Sequence, residues 1–366
     1  MRCLMVTGFN YFPQSTGGAE SSTNELALAL LQAGHKVAVL AALMPTRDRT
    51  YFRNRLIAKL TRNPAPTDIF SGYPVYRAWS SLDALEAVCA DFKPDIVMVQ
   101  SGEPARLTRA SLAMGFRTVL YLRDVDYSSH GGSYEPHENL RVIANSEFTS
   151  RRFKETFGIE SIVVPPAIDP ERYKVPPSEM VGDSVLFINP HPNKGVDTAI
   201  ELARLNPDIP FIFQESWRLD TPLKAALQQQ TSSLANVEWR APQTNMREVY
   251  RRARIVLIPS KCEEAWCRVA SESHVNGIPV IASSIGGLPE SVGPGGILLD
   301  PESDISEWDG ALKSIWHDKE NRSAQSIAAR EYSSRPEFQL PVINQKIIEC
   351  LERFSCQHLS ITMEDL

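Results

Sequence analysis

Short runs of apolar sequence alternate with amphipathic stretches along almost the whole chain. In the first half, residues 2–8, 36–43, 95–101, 118–124 and 141–146 read as buried strands, because their apolar positions continue without the polar alternation of a half-exposed strand. Between them, residues 19–33, 82–91 and 103–114 carry apolar positions at helical spacing. Leu26, Leu30 and Ala33 mark one face of the first, and Gly34 stops it. Pro165, Pro166, Pro170, Pro176 and Pro177 then interrupt the pattern, since no helix or central strand tolerates them. A second series follows. It has strands at 184–190, 210–215, 237–241, 255–259 and 279–283, and helices from 195, from about 221, over 245–252 and near 268–276. Residues 303–354 read as helices with a break at Pro336. This succession predicts an α/β protein of two doubly wound, Rossmann-like domains facing across a cleft, with ligand at the C-terminal strand ends.

A length of 366 residues fits two domains. With 43% hydrophobic and 22% charged residues the chain is neither disordered nor fibrous. Lys and Arg number 38 against 44 Asp and Glu, a net charge of -6, which speaks against general nucleic-acid binding and leaves room only for a local basic pocket. No apolar run approaches the roughly 20 residues that span a bilayer. The N-terminal MRCLMVTGFNY lacks the apolar core of a signal peptide. Six cysteines are too sparse for a disulfide scaffold. The expectation is a cytoplasmic protein. Cys262 and Cys267 find no second pair or nearby His to complete a zinc set, so no metal is expected.

Residues 259–293, PSKCEEAWCRVASESHVNGIPVIASSIGGLPESVG, hold the most chemistry. A strand ends at Pro259, a loop presents Glu264, and a helix begins near Cys267. The free N–H groups at that helix start make Trp266, Cys267, Arg268 and Val269 a cradle for a diphosphate. Glu272 lies about five residues further, roughly 7.5 Å along the axis, about the distance from a diphosphate to its ribose. A carboxylate there can accept both ribose hydroxyls, and Glu264 faces the other end, where a sugar would be. On spacing alone both glutamates also fit an ordinary solvated surface.

Glu264-x7-Glu272 followed by NGIPVIASSIGGLPE resembles the signature of retaining glycosyltransferases of family 4, which have the GT-B fold. The resemblance implies that Glu264 contacts donor-sugar hydroxyls, Ala265 to Val269 hold the diphosphate and Glu272 binds the ribose. Where relatives have Gly this chain has Cys267. It also implies a first domain of residues 1–168 on the acceptor side and a donor domain of 169–336. A last helix, about 337–356, should cross back onto the first domain, where the stripe of Val342, Ile343, Ile347 and Leu351 finds cover.

Four other places are similar to the family. Gly17-Gly18 precedes a helix, as in its first glycine loop, where backbone can approach a phosphate. The strand at 184–189 leads to Lys194, resembling the family's Arg-x4-Lys with Asn189 in the Arg position. Lys194 is then a point charge for the departing diphosphate, and Arg268 is the candidate second cation, with a solvated Arg on an exposed turn as its bland reading. Arg123-Asp124 stands where many relatives have His-Asp. Arg stays protonated and cannot be a base, but it can stabilise leaving-group charge. Asp124 and Asp126 match a metal-binding Asp-x-Asp, in the wrong architecture for it. Residues 141–157 resemble the strand, Ser and helix beside the hinge, where Ser146 is an N-cap, and PPAID at 165–169 resembles the family linker. Arg240, at a strand end, is a candidate to stack on the nucleobase. His130 and His137 read as solvated loop residues, and Trp79, Trp239, Trp308 and Trp316 as packing residues.

The resemblance implies a metal-independent hexosyltransferase that retains the anomeric configuration, with Lys194, Glu264, Arg123 and Arg268 as its catalytic residues. The donor would be a nucleotide-diphosphate sugar, UDP-linked by preference, and no cofactor is needed beside it. The acceptor is a glycan, a lipid-linked or a small-molecule hydroxyl, in polysaccharide, glycolipid or glycoconjugate synthesis. A peripheral membrane contact and the oligomeric state stay open. Two other readings fit the same architecture: a sugar-nucleotide 2-epimerase and a non-catalytic nucleotide-sugar binding protein.

Overall fold

A computed structural model describes residues 1–15, 17–46, 48–216 and 219–356. The chain forms two compact units, one of residues 1–167 with residues 341–356 and the other Ile168–Leu340.

The first unit is built on eight strands: β1 (Arg2–Asn10), β2 (Lys36–Ala42), β3 (Thr67–Phe70), β4 (Tyr73–Ala78), β5 (Ile96–Ser101), β6 (Arg117–Leu122), β7 (Leu140–Ala144) and β8 (Ile162–Val163). Their order is β3-β4-β2-β1-β5-β6-β7-β8, and the pairings are parallel except β3 with β4. The chain runs outward from β1 in one direction and from β5 in the other, so the topological switch lies between these two neighbours. Leu4, Val6, Val97, Val99, Leu120 and Val142 share one core with the helices Ser81–Phe92 and Pro104–Ala113. Ser146 caps the helix Glu147–Phe157 by accepting from Thr149 N at 3.0 Å.

Residues 44–78 give no strand by apolar pattern, yet they form the helix Arg49–Thr61 and the hairpin β3–β4. The reason is a buried charge. Arg77 is fully enclosed in β4, where Asp68 in β3 accepts from its Nε at 3.1 Å and Tyr11 O from its Nη1 at 3.2 Å. A satisfied buried Arg breaks the pattern on which the reading depends. Phe70 pairs with Tyr73, so the turn is Ser71-Gly72, both left-handed (φ 48° and 90°), as a two-residue hairpin turn demands. Trp79 is exposed rather than packed, whereas Trp308 is buried. Trp239 donates to Thr231 at 2.8 Å, and Arg254 lies over Trp316, 4.3 Å from its ring centre.

The last helix, Leu340–Cys356, buries Ile343, Ile347, Ile348, Leu351 and Phe354, while Val342 faces outward. The stripe is therefore shifted by part of a turn from the one read in the sequence. Lys346 donates to Val163 O at 2.8 Å, His35 meets Glu352 at 3.1 Å, Arg117 donates to Ser355 O, and Arg141 lies over the Phe354 ring.

The second unit holds β9 (Ser184–Ile188), β10 (Phe211–Gln214), β11 (Val237–Arg240), β12 (Ala253–Ile258), β13 (Val280–Ser283) and β14 (Gly296–Leu299). All pairs are parallel in the order β11-β10-β9-β12-β13-β14, with the switch between β9 and β12. The period-two alternation is visible on both faces. Leu186, Ile188, Val256, Ile258 and Val280 enter one core, and Val185, Phe187, Ile255, Leu257 and Ile281 enter the other. Helices cover both faces, so these strands are apolar throughout. No helix among the described residues is long and apolar enough to cross a membrane.

Candidate functional site

The loops that leave β9 and β12, neighbours at the switch of the second unit, bring Lys194 and Glu264 together. Lys194 Nζ lies 2.9 Å from Glu264 Oε1, and Ser260 donates to the same oxygen. Burial works against the charge on Lys194, but the Glu264 carboxylate outweighs it and holds the pKa above the usual lysine value. Lys194 is thus a fixed, permanent cation.

Backbone packing holds both loops. Gly195 sits so tightly on Pro259 O that no Cβ fits. Lys261 N donates to Asn193 O at 2.9 Å. On the other side the Gly286-Gly287 turn lies against the Glu264 loop. Gly286 is left-handed (φ 62°), a Cβ there would stand 2.6 Å from Glu264 N and O, and Gly287 N donates to Glu264 O at 2.6 Å. The glycine pair read as a distant part of the motif is what fixes Glu264.

The helix Arg268–Val275 starts beside Glu264, with Cys267 as its N-cap. Cys267 has φ -101°, open to any residue, and its side chain belongs to the core with Ala270. The departure from Gly therefore requires no strained backbone. Burial first, and Glu264 next, push the Cys267 thiol well above its ordinary range, so it is no nucleophile. Ala265 and Trp266 are buried, and Val269 is partly so.

Glu272 is enclosed and engaged: Tyr250 OH donates to Oε2 at 2.7 Å and Arg268 Nε stands 3.5 Å from Oε1. Arg268 also donates to Tyr173 OH at 3.1 Å. It is a largely enclosed, paired cation, not the solvated Arg of an exposed turn. Asn276, one turn on, accepts from Val175 N at 2.8 Å and donates to Tyr173 O at 3.1 Å, tying the helix to the segment that enters the unit. Tyr173, Tyr250, Ser260 and Asn276 carry no signal in a single sequence, where they look like ordinary helix and loop residues.

Asn189 turns away from this group. It is left-handed (φ 63°), and its Oδ1 accepts from Ser216 N at 3.2 Å and from Ser216 Oγ. Asn tolerates that conformation better than Arg, which explains the residue type at this position. Arg240 donates to Glu238 at 2.7 Å and, with Gln214 and Glu248, lines a cavity of about 420 Å³.

In the first unit, Arg123 leaves β6 and donates to Gln100 Oε1 from Nη2 at 2.7 Å, while lying 3.9 Å from the Tyr121 ring centre. Gln100, on β5, also accepts from Thr23 Oγ1 at 2.8 Å. Thr23 belongs to the helix Gly18–Gln32, whose N-cap is Gly17. The Glu20 carboxylate folds over Gly17. Burial raises its pKa, against hydrogen bonds that include Gly17's and the charge of Arg123. The glycine loop therefore has an acid of its own folded against it.

His130 is buried, not solvated: Asp124 Oδ1 lies 2.6 Å from Nε2 and Tyr134 OH 2.8 Å from Nδ1. Asp126 caps the next turn by accepting from Ser128 N at 3.2 Å. Both aspartates thus have structural partners in place of the Asp-x-Asp reading. His137 is exposed.

Residues 186–332 match the family model of Glycosyl transferases group 1, and residues 16–172 that of Glycosyltransferase Family 4. Over 96 residues, 26% of this chain, the sequence is 40% identical to D-inositol 3-phosphate glycosyltransferase of Corynebacterium kroppenstedtii, of whose length the match spans 21%. The structure resembles that of Anabaena HepE in complex with UDP-glucose (TM-score 0.75, 18% identity, 96% of this chain and 99% of that one). It also resembles sucrose-phosphate synthase of Thermosynechococcus elongatus (TM-score 0.76, 13% identity, 97% and 99%). The fold is GT-B.

Proposed function

Because the chain belongs to the glycosyltransferases of group 1 and family 4, we propose that it moves a hexose from a UDP-sugar to an acceptor hydroxyl with retention of configuration. The observation that carries this reading is the Lys194–Glu264 pair beside the start of the helix Arg268–Val275. Donor diphosphate would lie on the backbone of residues 265–269, its charge met by Lys194 and Arg268, its sugar hydroxyls by Glu264 and its ribose by Glu272. As the bond to the sugar breaks, charge grows on the phosphate, and a cation already held in place stabilises it without reorganisation. The departing phosphate itself takes the acceptor proton, so neither metal nor protein nucleophile is required.

The similarity to a protein seen with UDP-glucose supports the donor class, and the named relative supports an acceptor of the sugar or inositol-phosphate type. The second unit would hold the donor, and the first, with Arg123, the acceptor. The six free cysteines fit a reducing compartment, and the cytoplasm is where we place the reaction.

Calorimetric titration with UDP, ADP, GDP and their glucose conjugates, followed by transfer assays on a panel of acceptors, tests the reading. Tight binding of UDP-sugar and acceptor-dependent release of UDP are expected. Donor turnover without acceptor would favour the epimerase, and binding without turnover a sugar-nucleotide sensor.

A further inference from the structure

The helix Arg49–Thr61 faces outward with its apolar side. Phe52, Leu56 and Leu60 recur every four residues, so they form one stripe, and they are 57, 56 and 73% exposed. The back of the helix is fastened: Asn54 is fully buried and donates to Thr50 O at 2.9 Å and to Asp68 at 3.1 Å. The exposed stripe is therefore the front of an anchored element.

Charge flanks it. Residues 49–62 hold five basic residues and no acidic one, in a chain of net charge -6. At 100° per residue Arg49 and Arg53 border the stripe on one side, Arg55 and Lys59 on the other. None of these pairs with a carboxylate among the described residues. Trp79 extends the apolar face: it is 55% exposed, and its ring meets Tyr51 of the helix at 5.7 Å. Exposed apolar side chains between cations, with an amphipathic aromatic at the margin, are what the boundary of a bilayer receives, acyl chains taking the stripe and headgroups the cations.

We propose that this face is a contact for the surface of a bilayer containing anionic lipid. A nucleic acid would use the cations but leave Phe52, Leu56 and Leu60 in water. The complementary charge selects an acidic lipid surface over a zwitterionic one. The contact does not depend on sugar transfer, since it is read without donor or acceptor.

The test is flotation of the full chain with vesicles of phosphatidylcholine alone and of phosphatidylcholine mixed with phosphatidylglycerol. Binding is expected only to the mixed vesicles, weaker at raised salt, with a blue shift of tryptophan emission that Trp79→Phe removes. The triple change Phe52→Ser, Leu56→Ser, Leu60→Ser should lower partitioning by about tenfold or more at unchanged thermal stability. These side chains are exposed, so the variant keeps its fold. Failure to bind the mixed vesicles, or equal binding by parent and triple variant, overturns the proposal. So does concentration-dependent self-association without vesicles that the triple variant abolishes, because the face would then join copies of the chain.

Discussion

Both units gather side chains at the switch of a doubly wound sheet, but they hold their cation differently. In the second unit Lys194 is tied to Glu264 across two loops, and glycines press those loops together by backbone contact. In the first, Arg123 is held by a neutral amide, Gln100, and by the face of Tyr121, with Glu20 acting on it through its charge. The ion pair leaves Lys194 compensated until a phosphate competes for it. The amide of Gln100 sets the direction of the Arg123 guanidinium through hydrogen bonds rather than through a carboxylate. Under the proposed function, Lys194 is then the cation whose surroundings change most as leaving-group charge develops, since its carboxylate partner and a phosphate would compete for it.

The sharpest way to break this contrast is Lys194→Ala. Removal of one preorganised cation should lower kcat by roughly 10²–10³-fold, while donor affinity falls much less, because transition-state charge rewards the group most. Steady-state kinetics with a competent acceptor reads both. Asn189→Arg should not restore the rate. The position is left-handed and its side chain is spent on Ser216, so an Arg there must first disrupt that turn. A kcat within threefold of the parent would move leaving-group stabilisation to Arg268 or Arg123.

Backbone locking predicts that Gly286→Ala is costly although the change adds only one methyl group. The new Cβ meets Glu264 backbone in a left-handed position, a strain on the order of 1–3 kcal/mol. Urea unfolding should show the loss, and kcat/KM should drop as Glu264 moves. Gly310→Ala is the control, since nothing lies within 4 Å of its Cβ and the residue sits in a helix. Equal stability of the two variants would mean that the glycine turn does not hold the loop.

Glu272→Ala should weaken UDP binding by about 1.5–3 kcal/mol and leave a 2′,3′-dideoxy nucleotide nearly unaffected. Because Tyr250 and Arg268 already use this carboxylate, part of the loss comes from the two groups left behind. Tyr250→Phe, measured by the same calorimetry, separates that part. On the other side of the comparison, Gln100→Leu removes the amide that accepts from Arg123 and leaves its contact with the Tyr121 ring, and a smaller fall in kcat, about tenfold, is expected.

The legible part of this molecule is the part governed by repeating patterns. Leu186, Ile188, Val256 and Ile258 announce a sheet covered on both faces, and the Glu264–Glu272 spacing with its glycine turn marks the loop of the Lys194–Glu264 pair. What stayed hidden depends on partners far away in sequence. Arg77 is buried because Asp68 and Tyr11 meet it, so its strand reads as polar. His130 looks like a loop histidine until Asp124 and Tyr134 close on it. The helix Arg49–Thr61 gives no signal of a core-facing helix because it turns its apolar stripe outward. Tyr250 reaches Glu272 across 22 residues, a pairing that no local spacing encodes.

The smallest expected effect concerns acid, and it distinguishes the two units. His274 lies on the same helix as Glu272, enclosed against Tyr332. Burial, helped by the charge of Arg335 and opposed by the Gly295 backbone, lowers its pKa from 6.5 to about 4. An unfolded chain takes up a proton near pH 6.5 that the folded helix refuses until about pH 4. Stability is therefore complete above pH 6.5 and falls as the pH drops through that window. The loss should already be about 1 kcal/mol at pH 6. Hydrogen exchange at pH 7.5 and pH 6 should show protection falling in residues 268–275 and 319–333 more than in residues 123–140. His274→Gln, which does not titrate, should flatten the difference. An unchanged slope in that variant would assign the acid sensitivity to another group and leave this helix no more acid-labile than the first unit.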